Sequence, residues 1–161
     1  MVIRKGQKED MPHILSLIKE LATFEKEPNA VIIDTAYLVE NAFSTPPLFY
    51  TFVAELEGEI VGMALFYYRF STWKGKTIHL EDLIVKQDKR GLGIGKALYN
   101  KVLKFAQNEK VKRVEWVVLD WNKNAIDFYK KTGATILTDW RTVQMTEEKL
   151  NSYLKTQQIT D

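Results

Sequence analysis

Two adjacent carboxylates, Glu81 and Asp82, interrupt an apolar run, His79-Leu-Glu-Asp-Leu-Ile-Val85. The chain then turns through Lys86-Gln-Asp-Lys-Arg-Gly-Leu-Gly-Ile-Gly-Lys96. Acids between apolar neighbours in a strand are costly to bury without a purpose, so both are candidates for taking a proton or holding a cation. In a regular strand Asp82 would face away from Glu81. His79, two residues before Glu81, would share its face, where an imidazole could relay a proton. A histidine simply satisfied by its neighbours is the preferred reading of His79. Gly91, Gly93 and Gly95 alternate in the turn and remove the side chains that would keep a ligand off the backbone. Helix-start amides are unpaired, and the helix dipole adds positive potential there. A strand, a glycine turn and a helix N-terminus together suit a phosphate or pyrophosphate.

The elements that must position these residues follow from hydrophobic spacing. Residues 1–5 read as an opening strand. Asp10 is expected to cap a helix with Pro12 in its first turn and Met11, Ile14, Leu17, Ile18 and Leu21 on one face. Asp34 is expected to cap a second, shorter helix that ends before Ser44-Thr-Pro-Pro47. Residues 49–56 and 60–70 alternate around Glu57-Gly58-Glu59 and predict a hairpin. A strand over about 77–85 enters the glycine turn. The helix after it carries Ile94, Leu98, Val102, Phe105 and Ala106. A strand over 111–119, a short helix over 125–131 closed by Gly133, strands over about 134–138 and 140–146, and a helix capped by Thr146 complete the chain. The expected class is α/β: one mixed, mostly antiparallel sheet flanked by helices, in a single domain over residues 1–161.

Composition narrows the function. The net charge of +2, from 23 basic and 21 acidic residues, is too balanced for a nucleic-acid binder. The absence of cysteine excludes disulfides, thiolate metal sites and a cysteine nucleophile. His13 and His79 lie too far apart in sequence for metal-ligand spacing, so no metal is expected. The apolar runs are shorter than a membrane span and no leader precedes Met-Val-Ile-Arg, so a cytoplasmic protein without membrane attachment is expected.

Two familiar phosphate loops do not fit. A Walker A loop would need glycine at Arg90 and a hydroxyl at Ala97. A dinucleotide fingerprint would need its third glycine one residue later than Gly95. Arg90, Gly93 and Gly95 do fit Arg/Gln-x-x-Gly-x-Gly, the acyl-coenzyme A loop of the GNAT acetyltransferases. That pattern alone arises by chance in about one chain of this length in fifteen, so longer motifs must decide. Leu21-Ala-Thr-Phe-Glu-Lys26, Ser71-Thr-Trp-Lys-Gly-Lys-Thr-Ile-His-Leu-Glu-Asp82, Val118-Leu-Asp-Trp-Asn122 and Phe128-Tyr-Lys-Lys-Thr-Gly-Ala134 supply them. Over nearly its whole length the chain resembles the diamine acetyltransferase family of the GNAT superfamily. Ser-Thr-Trp-Lys-Gly and Val-Leu-Asp-Trp-Asn look nearer to the thialysine N-ε-acetyltransferase branch than to the polyamine branch.

The resemblance implies acetyl transfer from acetyl-CoA, as co-substrate, to the primary amine of a small cationic acceptor by direct attack in a ternary complex. It implies a splayed central strand pair that binds the coenzyme. The backbone of Leu83, Ile84 and Val85 would pair with the pantetheine arm. Arg90, Gly91, Leu92, Gly93, Ile94, Gly95 and Lys96 would hold the pyrophosphate, and Asn122 would touch the coenzyme. Tyr129 matches the family's general acid beside the sulfur, a role suited to a phenol with a pKa of about 10. Glu81 matches the glutamate that takes the amine proton through a water. Glu25, with Phe24 beside it, and Asp82 match positions that bind the amine, and Trp73 could add an aromatic wall. At Ser71 the polyamine branch has an aspartate, so a single-amine acceptor is favoured. At His79 the relatives usually carry tyrosine. A homodimer is implied, with Trp140, Val143 and Met145 in the C-terminal strands as candidates for building it. The alternatives are a GNAT acting on a protein lysine or N-terminus and a non-catalytic acyl-CoA-binding module.

Overall fold

A computed structural model describes residues 1–157; the last four positions of the expected 1–161 domain lie outside them. The described chain divides into two compact units, Met1–Val117 and the residues from Val118 onward. The first unit holds the strands β1 (Val2–Lys5), β2 (Tyr50–Leu56), β3 (Glu59–Ser71), β4 (Gly75–Val85) and β5 (Val114–Glu115). It also holds the helices α1 (Met11–Phe24), α2 (Thr35–Ala42) and α3 (Ile94–Asn108). The strands form one sheet in the order β1-β2-β3-β4-β5, antiparallel except for the parallel β4–β5 pair. This is the expected mixed, mostly antiparallel α/β sheet.

The local signals acted largely as read. Glu57 and Gly58 both take positive φ, 54° and 83°, the two-residue turn that suits the twist of a hairpin. Asp34 accepts the amide of Tyr37 at 2.8 Å and caps α2. Asp10 does not cap α1. Its buried carboxylate accepts two bonds from Arg4, at 2.6 and 2.9 Å, and the amide of Gln7 at 2.8 Å. A guanidinium fork offers a desolvated carboxylate more than a helix amide does. The Arg4 pair holds the Asp10 carboxyl below the usual carboxylate range.

Two cores sandwich the sheet. Met11, Ile14 and Leu17 of α1 and Leu38 of α2 pack on Val53, Ile60, Met63, Leu65 and Ile84. On the other face Phe105 of α3 packs among Phe52, Phe66, Tyr50 and Tyr68 with ring centroids 5.1–6.3 Å away. Gly62 leaves no room for a side chain: an added Cβ would sit 2.8 Å from the Ile84 carbonyl oxygen and 3.2 Å from Leu98 of α3.

Two expectations about strands also fail. The strand expected over 111–119 is reduced to Val114–Glu115, pairing only Ile78 with Val114 and His79 with Glu115. The strands expected over 134–138 and 140–146 do not form among the described residues; the second unit contributes α4 (Lys123–Lys131) and α5 (Glu147–Gln157) instead. Leu137, Trp140, Val143 and Met145 are exposed there. An alternating pattern supplies a face for a ladder but not the neighbouring strand that satisfies its backbone.

Because the carbonyl of Ile84 cannot yield as a side chain would, Gly62→Ala is expected to lower stability by about 1–3 kcal/mol, read as a shifted midpoint in chemical denaturation.

Candidate active site

The strand β4 is not regular. Leu65 pairs with Asp82 and Phe66 with Leu80, so Glu81 has no partner on β3: it is the extra residue of a β-bulge. The alternation of faces is reset there. Leu80 shares the α3 face with Phe66, whereas Asp82 shares the α1 face with Leu65. The expectation that Asp82 would turn away from Glu81 therefore fails, because it assumed a strand without a bulge. Both carboxylates lie on the α1 side, where Glu25 follows the last turn of α1.

This clustering changes the chemistry of the acids. Burial, then the charges of Glu81 and Glu25, push the Asp82 carboxyl up to about 7. Burial also raises Glu25. Glu25 and Glu81 remain exposed, so Asp82 is the one of the three acids that is largely shielded from water.

The same face carries a polar row across β3, β4 and β5. Tyr67 donates its hydroxyl to Glu81 Oε2 at 2.8 Å, and burial followed by this bond raises the phenol to about 12. His79 stacks on Tyr67 with centroids 5.3 Å apart, and its Nε2 faces Glu81 Oε2 at 3.6 Å. The shared face expected for His79 and Glu81 is therefore present. Arg69 lies 3.4 Å from His79 Nδ1 and pairs with Glu115 at 2.6 Å; Arg113 pairs with the other Glu115 oxygen at 2.7 Å. Burial pulls the His79 imidazole down, with the Glu81 charge opposing and Arg69 assisting. Sequence reasoning missed Tyr67, Arg69 and Glu115, whose signal was only their alternation on strands of then unknown register.

The glycine loop follows β4. Beyond the pair His79 and Glu115, the stretch Leu80 to Val85 has no strand on the β5 side among the described residues, because β5 ends at Glu115. Gly91 and Gly93 take φ of 81° and 78°, and an added Cβ at either meets nothing within 4 Å. The first bond of α3 runs from Ala97 N to Gly93 O at 3.0 Å. Gly93 is its N-cap and offers no side chain, so the amides of Ile94, Gly95 and Lys96 meet no acceptor among the described residues. A glycine-lined helix start with free amides fits a pyrophosphate. Leu92 is exposed at the crest of this loop. Gly95 is helical, and a Cβ there would make only ordinary contact with Val85 at 3.7 Å. Arg90 is exposed but folds back on the loop: its Nε donates to the Val85 carbonyl at 3.0 Å and its guanidinium lies over Phe24 at 5.3 Å. It ties the loop to the end of β4 and to α1.

Other expected site residues are held by different elements. Ser71 closes the β3–β4 hairpin, accepting the amides of Trp73 at 3.3 Å and Lys74 at 3.2 Å. Trp73 sits at that hairpin's tip, 77% exposed. At the strand rise it is roughly 20 Å along β4 from Asp82, so within one chain it forms no wall of the carboxylate cluster. In the second unit, Asn122 caps α4 by accepting the amide of Ala125 at 3.2 Å. Tyr129, two turns further along α4, is buried, with its ring 5.3 Å from that of Phe128. Among the described residues no three His, Asp or Glu side chains gather as a metal site would need, and no helix is long and apolar enough to cross a membrane.

Comparison with known proteins decides the family. The chain matches the Acetyltransferase (GNAT) family over residues 12–134. It belongs to that family. The protein is thus an N-acetyltransferase, and GNAT enzymes use acetyl-CoA as acetyl donor. It is 40% identical over 147 residues to thialysine N-ε-acetyltransferase of Bos taurus, covering 86% of each chain. It is 36% identical over 143 residues to the protein of that name in Caenorhabditis elegans, covering 87% of this chain and 88% of the relative. An aminoglycoside acetyltransferase from an uncultured soil metagenomic sample superposes with a TM-score of 0.75 at 25% identity, over 90% of this chain and 95% of that one.

The raised Asp82 carboxyl gives a test. Its folded-state value of about 7 lies above the unfolded value of about 3.9, so the neutral acid is favoured by folding, and stability falls as pH rises from about 4 to 7. Asp82→Asn is expected to stabilise the free protein at pH 8 relative to pH 4 by on the order of 2 kcal/mol, measured by denaturation at both pH values.

Proposed function

We propose that residues 1–161 form one N-acetyltransferase domain that moves the acetyl group of acetyl-CoA to the primary amine of a small cationic acceptor. The bulge at Glu81 carries this reading, because it brings Glu81 and Asp82 to the α1 face, where Glu25 follows, at the start of the β4 stretch that has no strand on the β5 side among the described residues. Support for the acceptor class comes from the relatives named for thialysine, and from Ser71, which leaves a second positive charge without an added carboxylate. A thialysine-like or lysine-like amine suits this better than a long polyamine.

The amine reaches the site as an ammonium ion. Glu25 and Asp82 hold it by charge, and Phe24 lines the approach. Binding a cation draws Asp82 back toward its ionised form, so the acceptor itself completes the charge of the site. Glu81 takes one ammonium proton through a water, which frees the nitrogen lone pair for direct attack. The free amides of Gly93 to Lys96 and the exposed backbone edge of Leu83, Ile84 and Val85 would hold the coenzyme, with Gly91 and Leu92 shaping the loop and Asn122 adding a contact. When bound, acetyl-CoA supplies the acetyl group as a thioester. As the C–N bond forms and the C–S bond breaks, Tyr129 would give its hydroxyl proton to the departing sulfur, and the second proton lost from the acylated nitrogen would return through solvent to the tyrosinate, so the ternary reaction yields an amide and a free thiol. Trp140, Val143 and Met145 are the exposed apolar side chains available for a homodimer contact.

The test is thiol release from acetyl-CoA with thialysine, lysine, spermidine, spermine and a short peptide. Thialysine is expected to be the best acceptor, with Glu81→Gln and Tyr129→Phe each lowering kcat by about 10²- to 10³-fold. Preference for spermine or for the peptide overturns the acceptor class. Coenzyme binding without turnover on any amine overturns the catalytic reading.

A further inference from the structure

The two oxygens of Glu81 are not equivalent. Tyr67 donates to Oε2 at 2.8 Å, and His79 Nε2 faces the same oxygen at 3.6 Å. No hydrogen bond or ion pair reaches Oε1 among the described residues. We propose that neutral His79 is a positioning residue: with Tyr67 it anchors Glu81 by Oε2 so that Oε1 is presented to the proton it must accept, and Arg69 fixes the imidazole tautomer that makes this possible. The proposal rests on Glu81 being the base.

The tautomer follows from what each neighbour can do. A guanidinium only donates, and Arg69 lies 3.4 Å from Nδ1, so Nδ1 must accept and the single proton of the neutral ring must be on Nε2. That proton points at Glu81 Oε2. The opposite tautomer would set N–H against N–H at Arg69 and lone pair against carboxylate at Glu81. A proton relay through His79 needs that opposite tautomer, since the ring would have to accept at Nε2. The groups facing the ring are Tyr67 and Arg69 from β3, Glu81 on its own strand and Glu115 from β5. Glu115, clamped between Arg69 and Arg113, holds the Arg69 guanidinium in place and keeps it beside the ring. The Nε2 to Oε2 separation exceeds a hydrogen bond, as is common for catalytic contacts before substrate tightens them.

Imidazole nitrogen NMR on the free protein tests the first half, because His13 is the only other histidine and serves as reference. The expected result is a neutral His79 ring protonated on Nε2 at pH 7. A ring protonated on Nδ1, or an imidazolium, overturns the proposal. Kinetics test the second half. His79→Phe keeps the stack on Tyr67 but removes the donor. It is expected to lower kcat about tenfold with little change in KM, and to move the acid limb of the kcat/KM profile to higher pH, because Glu81 loses a group that favours its ionised form. His79→Gln, which restores an N–H donor, is expected to recover most of both. Equal effects of Phe and Gln with an unmoved acid limb would reduce His79 to packing and overturn the proposal. If Glu81→Gln abolishes turnover while His79→Phe matches wild type, the positioning role alone fails. If Glu81→Gln turns over normally, the base assignment fails and takes this proposal with it.

Discussion

One unpaired residue in a backbone ladder governs the site. Glu81 has no partner on β3, so the alternation of faces along β4 is reset there, and the parallel ladder with β5 ends two residues earlier, at His79 and Glu115. The strand therefore has two characters. Before the bulge it is paired with β3 throughout and with β5 at Ile78 and His79; from the bulge on, it has no strand on the β5 side among the described residues, and Glu81 and Asp82 share a face. Neither would follow from a regular strand of the same sequence. The hydrophobic core sets the limits of this distortion, since Leu80 and Ile84, on either side, are both buried but in opposite cores.

The acids and bases around the bulge are arranged by sign. On one side Arg113, Glu115 and Arg69 alternate across β5 and β3 and lead to His79. On the other, Glu81, Asp82 and Glu25 gather without a lysine or arginine ion pair among the described residues, and Asp82 answers by holding its proton near neutrality. The charge imbalance is local; the chain as a whole is nearly balanced, with net charge +2. A site that lacks one positive charge, at the end of a sheet whose other charges are paired, is selective by electrostatics before shape is considered.

Much of this was legible in the chain itself. The Glu57-Gly58 turn, the Asp34 cap and the glycine loop each depend on a few neighbouring residues, and local chemistry sufficed to place them. His79 and Glu81 on one face also followed from spacing. What escaped depends on register. Tyr67 and Arg69 reach Glu81 and His79 through pairings 10 to 14 residues apart in sequence, and period-two counting cannot see an inserted residue, so Asp82 was assigned to the wrong face. Asp10 was lost to Arg4 for a similar reason: a cap was the best local use of the carboxylate, and a cation brought alongside by folding offered a better one. Trp73 matched by motif, but the length of the hairpin carried it away from the cluster.

Gly95 separates two demands that usually coincide. Gly91 and Gly93 are required by backbone angles that other residues resist, but Gly95 lies within α3 in a helical conformation with ordinary room for a methyl group. For the isolated fold, alanine there would be the better residue by roughly 0.5–1 kcal/mol. On the proposed coenzyme-holding role of the loop, the glycine is a concession of thermodynamic stability to a ligand that lies against bare backbone. A thermostability screen of the free protein would favour its replacement, and selection for turnover would restore it.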